Sequence, residues 1–360
     1  MSATPSTNPT SPGQPHQKRR GRSKADAVLG LLTRGSAVAI LLMVASLLGV
    51  LLHAAWPSIR QFGPSFIVSS EWRPNAIERP LIGPDGKVVI EDGETVLETL
   101  PPAFGALPVI YGTAVSAAIA LLLAVPLSLG SALFIVRVAS RYRFAGVVSF
   151  LIEFLAAIPS IAYGMWGIFV LTPFLQKHLE PLLFRLFGDF SIFGWAFFDS
   201  SGRAIGLTGR DMLCGGLILG IMILPIITAV SRDVLRAVPR AQVEGALALG
   251  ATWWQSCIAM LRYSRSGLFG AVMLGLSRAA GETMAVTMVI GNNNQISPSP
   301  FAPAQTMASL LANEFGDVTG ELHRSALLQV ALILLIMSLA FNITARRLVV
   351  GKGSRSSAAH

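Results

Sequence analysis

Apolar residues fall into six long runs, roughly 35–55, 107–136, 147–175, 212–231, 266–290 and 325–345, with polar and charged residues gathered between them. Each is close to or above the about 20 residues that an α-helix needs to cross the hydrocarbon core of a bilayer. The pattern predicts an all-α membrane protein with six transmembrane helices. The second and third runs exceed the minimum and are punctuated, one by Pro126 and the other by Pro159, Gly164 and Gly167. A tilt, a kink or a short re-entrant end would absorb the excess. The first run is longer than the apolar core of a signal peptide, about 7–15 residues, so it is expected to stay as a span.

Arginine and lysine between the runs set the orientation. With the N-terminus inside, 18 of the 28 basic residues lie on the inner side, among them Arg137, Arg141, Arg143, Arg232, Arg236, Arg240, Arg262 and Arg265. Only Asp26, Asp233 and Glu244 of the 19 acidic residues accompany them. Both termini are therefore expected in the cytoplasm. On this reading 1–34 is a disordered basic cytoplasmic tail, 35–55 the first transmembrane helix, and 56–106 an extracytoplasmic loop or small hairpin built on GPDGKVVIEDGETVLETL. Residues 107–345 form a core of five transmembrane helices with a polar segment at 240–260, and 346–360 is a cytoplasmic tail. The phenylalanine-rich stretch after 176 is expected along the membrane interface. A seventh span at 181–198 is disfavoured by Arg185, Asp189 and the even number of crossings that the flanking charges require.

A hydrophobic content of 52%, only 13% charged residues and a mean hydropathy of +0.61 agree with a membrane chain. The net charge of +9 sits at the ends of the apolar runs rather than on a soluble surface, which excludes nucleic acid as the expected partner. Two cysteines give neither a disulfide framework nor a metal set, and no cofactor is expected. Nothing pairs a nucleophile with a base, and the chain has no Gly-rich phosphate loop ending in Lys-Ser or Lys-Thr. It is not expected to be an enzyme.

The polar segment carries VEGALALGATWWQS at 243–256, in which Pro239 opens a new helix and Gly250 permits a turn or a close backbone approach. Glu244, Gly245, Ala246 and Gly250 resemble the cytoplasmic coupling motif of bacterial ABC-importer permeases, Glu-Ala-Ala, three residues, then Gly. Gly245 replaces the first alanine, and Leu261-Arg262 stands where that family commonly has Leu-Pro. The resemblance continues in IEFLAAIPSIAYGMWGIFVLTPFL at 152–175 and GLSRAAGETMAVTMVIGN at 275–292, both similar to the permeases of the phosphate-specific importer, the C-type more than the A-type. It covers about residues 110–345.

That resemblance implies a type I ABC-importer permease fold in the bacterial inner membrane. It also implies a second, A-type permease subunit, two cytosolic ABC ATPase subunits and an extracytoplasmic phosphate-binding protein, with inorganic phosphate as cargo and the lipid bilayer as surroundings. ATP hydrolysis then belongs to a partner. A permease for another oxyanion or small solute, or a membrane scaffold that recruits an ATPase without transport, is the alternative.

Arg278 and Glu282 are four apart in the fifth run, beside Thr283. An isolated charge at mid-bilayer costs about 2.5–3.5 kcal/mol on insertion scales, so such residues face a protein interior or a pathway. Both a buried bridge and a phosphate contact by the guanidinium are open. Glu153 is a third such charge and a candidate partner of Arg278. Pro159 frees the carbonyl of Leu155. With Gly164 and Gly167 it reads either as packing or as a hinge, and Tyr163 either as core or as a gate. Asn292, Asn293 and Asn294 read as a cap or turn, or as residues that help receive phosphate from the binding protein that the resemblance implies.

Overall fold

The computed structural model describes residues 24–80, 90–91, 94–95, 97–138, 144–187, 194–198 and 206–353. Most of the basic tail, the tip of the expected hairpin, Arg141 and Arg143, Asp189 and the last seven residues lie outside them. The chain divides into one unit up to Val50 and a second from Leu51.

The first helix, α1 (Lys24–Phe62), is longer than the expected 35–55 span at both ends, so Lys24–Arg34 is helical rather than tail. Up to Val50 its apolar side chains, Leu31, Leu41 and Met43 among them, are exposed, as suits a helix facing lipid or another subunit.

In the second unit, antiparallel strands β1 (Ile77–Pro80) and β4 (Leu97–Leu100) pair, as do β2 (Ile90–Glu91) and β3 (Glu94–Thr95) between them. The helices that follow are α2 (Leu107–Leu133, extended by a π-helical turn, Phe134–Val138), α3 (Phe144–Ala157) and α4 (Ser160–Phe187, with π-helical turns at Gly167–Leu171 and Leu175–Leu179). Next come α5 (Met212–Arg236), α6 (Arg240–Ala248), α7 (Trp253–Tyr263), α8 (Arg265–Ala280) and α9 (Met284–Val289). The last are α10 (Met307–Glu314) and α11 (Glu321–Gly353).

Four helices among the described residues are long and apolar enough to cross a membrane: those in Val28–Phe62, Leu107–Val138, Met212–Arg236 and Glu321–Thr344. A fifth is possible only as α3 and α4 together, bent by 91° at the Pro159 break. The expected fifth span, 266–290, is not one helix. It stops at Ala280 and restarts at Met284, so this run is broken in its second half.

Alanines let α2 and α5 meet closely: Ala120 and Ala124 are fully buried against Leu219, Ile223 and Ile227. Ser128 Oγ donates to the Leu224 carbonyl at 3.0 Å, adding a polar tie where the bilayer offers none. At the end where α2 begins, Phe66 and Phe104 pack with Met307, Leu310 and Leu327. Trp72 Nε1 donates to Glu314 Oε2 at 2.7 Å, and His323 Nε2 lies 3.0 Å from the same oxygen. Residues of the 56–106 loop are thus clamped onto α10 and α11. The phenylalanines expected along the interface instead close inward in part, with Phe197 buried and stacked on Phe301 at 4.9 Å.

Asp211 caps α5 by accepting the Cys214 N–H at 2.8 Å. The fully buried Glu180 turns its carboxyl toward it, and neither Asp211 Oδ2 nor either Glu180 oxygen finds a well-placed donor among the described residues. Two bare carboxylates would repel in that space, and a shared proton supplies the missing donor. Burial pushes the Asp211 carboxyl from 3.8 up to about 8, the Glu180 charge adding to the rise while the Cys214 and Leu213 amides oppose it. The folded chain therefore keeps a proton that the unfolded chain gives up, and this contribution to stability falls as pH climbs from about 4 to about 8. Asp211→Asn keeps the cap and supplies a permanent donor. The melting temperature of the detergent-extracted chain is expected to fall between pH 5 and pH 8 in the wild type, and the variant to flatten that dependence; an equal slope in both would contradict the shared proton.

Candidate functional site

The polar segment folds as two short helices joined by a tight turn. Helix α6 ends in a Schellman motif: Ala251 N–H reaches the Ala246 carbonyl at 3.1 Å, and Gly250 N–H the Leu247 carbonyl at 3.0 Å. This geometry needs a left-handed residue after the helix, and Gly250 supplies it with φ +83°. Thr252 then opens α7 through a capping box with Gln255. Glu244 and Gly245 are exposed and Ala246 is half-buried. Around them Leu247, Trp253 and Trp254 are exposed, and Leu249 is 91% exposed. An apolar cluster of this kind on a polar segment has the character of an interaction surface.

Arg278 and Glu282 both line a cavity of about 470 Å³ with Ile226, Leu274, Ser277 and Gly281. Their relation differs from that expected of neighbours on one helix face. Arg278 lies in the last turn of α8 and is exposed, whereas Glu282 sits in the Gly281–Thr283 break and is only 9% exposed. No ion pair joins them among the described residues. Thr283 caps the break by donating to the Gly281 carbonyl at 3.3 Å, and Thr287 donates to the Thr283 carbonyl at 2.7 Å.

Glu153 is placed apart from this cavity. It accepts from Arg232 Nη1 at 3.1 Å, and Arg232 Nε bonds Asp233 at 3.1 Å. The structure thus pairs Glu153 with Arg232 and not with Arg278. The sequence reading missed this partner, because the two residues are 79 positions apart.

Pro159 forms the N-terminal boundary of α4 with ψ 141°, which turns the chain between α3 and α4. The carbonyl that it deprives of a helical donor, Leu155 O, accepts the Tyr163 hydroxyl at 2.7 Å. Tyr163 is 8% exposed and packed with Ile218, Ala285 and Val289. A Cβ on Gly164 would lie 2.7 Å from Met288 Sδ and 3.0 Å from Ala285 Cα, and one on Gly167 would lie 2.8 Å from Val289. These two glycines let α4 approach α9 closely. Asn292 takes φ 53° and donates to the Thr287 carbonyl at 2.8 Å, consistent with a turn after α9.

Residues 124–350 match the sequence profile of the family described as "Binding-protein-dependent transport system inner membrane component". The chain is similar to the phosphate transport system permease protein PstC of Mesorhizobium japonicum, with 36% identity and 92% of each chain covered. It is also similar to the PstC proteins of Pasteurella multocida (37% identical, 88% of this chain and 89% of that one) and Haemophilus influenzae (38%, 87% and 89%). Among solved structures it is similar to the MetNI methionine ABC transporter in an inward-facing conformation, with 16% identity, 68% of this chain and 93% of that one covered, and a TM-score of 0.48.

Removing the Tyr163 hydroxyl leaves the Leu155 carbonyl with only the Ile158 N–H, at 3.4 Å. Tyr163→Phe is expected to destabilise the chain by about 1 kcal/mol. Gly164→Leu is expected to cost more, about 1–3 kcal/mol from overpacking against Met288 and Ala285. Thermal unfolding of the full chain in detergent measures both; unchanged stability in Tyr163→Phe would remove the structural role assigned to the hydroxyl.

Proposed function

Because the chain belongs to the binding-protein-dependent transport system inner membrane component family, we propose that it is the membrane-spanning permease of an ATP-driven importer of inorganic phosphate. The observation that carries the cargo is the 36–38% identity, over 87–92% of this chain, to proteins named as phosphate transport system permeases. In this reading it is the C-type subunit. It works beside an A-type permease, two cytosolic ABC ATPases and an extracytoplasmic phosphate-binding protein.

The ATPase docks on α6 and the turn at Gly250, where Glu244, Gly245 and Leu249 face outward. A rigidly capped turn transmits displacement better than a frayed helix end, and α7 passes almost directly into α8 through Ser264. Movement at α6 therefore has a short covalent route to Arg278 at the far end of α8. Arg137, Arg232, Arg236, Arg240 and Arg262 gather at the α6 end, which supports placing that end and both termini in the cytoplasm.

Arg278 offers a planar set of donors to an anion that sheds water in the cavity. Glu282, beside it but not bonded to it, opposes tight retention of the anion, as passage requires weak as well as favourable binding. The bend at Pro159 serves as the hinge about which α3, tied to α5 by Glu153–Arg232, changes its angle to α4. Thr283 holds the break beside Glu282 rather than contacting the ion.

Reconstitution in sealed vesicles with the partner subunits and binding protein tests the assignment: ATP-driven uptake of phosphate is expected, and uptake of sulfate instead would contradict it. Counter-transport without ATP would mark a secondary carrier, and ATPase recruitment without uptake a scaffold. Arg278→Gln is expected to lower phosphate uptake by about tenfold or more, the loss of a charge-assisted contact worth about 1.5–3 kcal/mol, with assembly unchanged. Loss of assembly in that variant would make Arg278 structural.

A further inference from the structure

A second cavity, of about 420 Å³, lies where the π-helical turn that ends α2, the end of α5, α6 and α7 come together. Its polar wall is formed by Arg137, Arg236 and Arg240, opposed by Glu244 alone, which leaves a formal excess of two positive charges. The rest is apolar, with Leu235, Val243 and Met260 prominent. The volume is in the range of small-molecule sites, about 300–1,000 Å³.

The arginines are available for a ligand. Arg137 Nη2 donates to Ser256 Oγ at 2.8 Å, which fixes the side chain against α7, but its buried Nε has no acceptor among the described residues. Arg236 and Arg240 are exposed and form no ion pair among the described residues. Three cations held around an apolar floor call for a ligand with an anionic head and an apolar body. The cavity also lies at the ends of two spanning helices, Leu107–Val138 and Met212–Arg236, which is the depth of lipid headgroups.

We propose that this cavity is a binding site for an anionic phospholipid, its phosphodiester held by Arg137, Arg236 and Arg240 and its glycerol and first methylenes on the apolar wall. A lipid bound there touches the ends of α2 and α5 and the first turn of α6 at once. It sets the resting position of the helix that the functional reading assigns to the ATPase. The placement in the cytoplasmic leaflet rests on that reading, whereas the binding itself does not.

Native mass spectrometry of the full chain in detergent, titrated with phosphatidylglycerol or phosphatidylcholine, tests the site without ATPase or transport. Phosphatidylglycerol is expected to be retained about tenfold better than phosphatidylcholine, and the double variant Arg236→Gln/Arg240→Gln to lose that preference. Arg324→Gln, a neutralisation at the other end of the helices, is expected to leave it intact. Val243→Trp, which fills the cavity without changing charge, is expected to lower retention as well, and so provides a second test should the double variant fold poorly. Equal retention of the two lipids, or an undiminished preference in the double variant together with undiminished retention in Val243→Trp, would overturn the proposal. Saturable binding of inorganic phosphate with no lipid preference would make the cavity a free-oxyanion site and overturn it equally. Failure of phosphate uptake in reconstitution would leave this result untouched.

Discussion

Hydrocarbon offers the backbone no hydrogen-bond partner, so every departure from continuous helix within the membrane must be satisfied from inside the protein. Most of this structure follows from how the chain meets that demand. At Pro159 the freed Leu155 carbonyl is taken up by the Tyr163 hydroxyl, eight residues later in the chain. That bond permits a 91° bend between α3 and α4, while Gly164 and Gly167 seat α4 against α9 and α5. At Gly281–Thr283 the helix breaks beside the cavity that Arg278 and Glu282 line, with Thr283 covering the Gly281 carbonyl. Outside the apolar spans the constraint relaxes, and the turn at Gly250 satisfies its carbonyls through the Schellman bonds alone.

These satisfied breaks divide the core into stiff pieces joined at defined places. The α6–α7 turn is held by the Schellman bonds at one end and a capping box at the other, which leaves few free backbone groups from which either helix end could unwind. From Ser264 the same chain runs through α8 to the Arg278 cavity. An importer driven by a separate ATPase needs such a connection, because the energy is released at one face and used within the membrane. The buried Glu180–Asp211 pair and the Trp72–Glu314–His323 cluster fix the opposite end of the helices, where α5 and α11 begin.

The apolar runs made most of the spans legible, since about 20 consecutive apolar residues have few other stable uses. Gly250 and Pro159 were legible for the same kind of reason: each residue restricts or permits a particular backbone geometry. The break inside 266–290 was not, because Gly281-Glu282-Thr283 contains no proline and the run stays apolar on both sides of it. Partners distant in sequence were also hidden. Nothing in the neighbourhood of Glu153 points to Arg232, and Glu180 and Asp211 meet only after α4 and α5 pack. Arg278 and Glu282 were recognised as unusual from charge in an apolar run, but their spacing suggested one helix face where the backbone instead turns between them.

In the function proposed for this chain, the exposed turn between α6 and α7 is where an ATPase grips it. Leu249 is the sharpest probe of that contact, since its side chain is almost wholly in solvent and Leu249→Glu is expected to leave the fold intact. Co-purification of the cytosolic ATPase with the detergent-extracted permease pair measures the grip directly. The wild type is expected to retain the ATPase and Leu249→Glu to lose it while the permeases remain folded and paired; full retention by the variant would rule out docking at this turn.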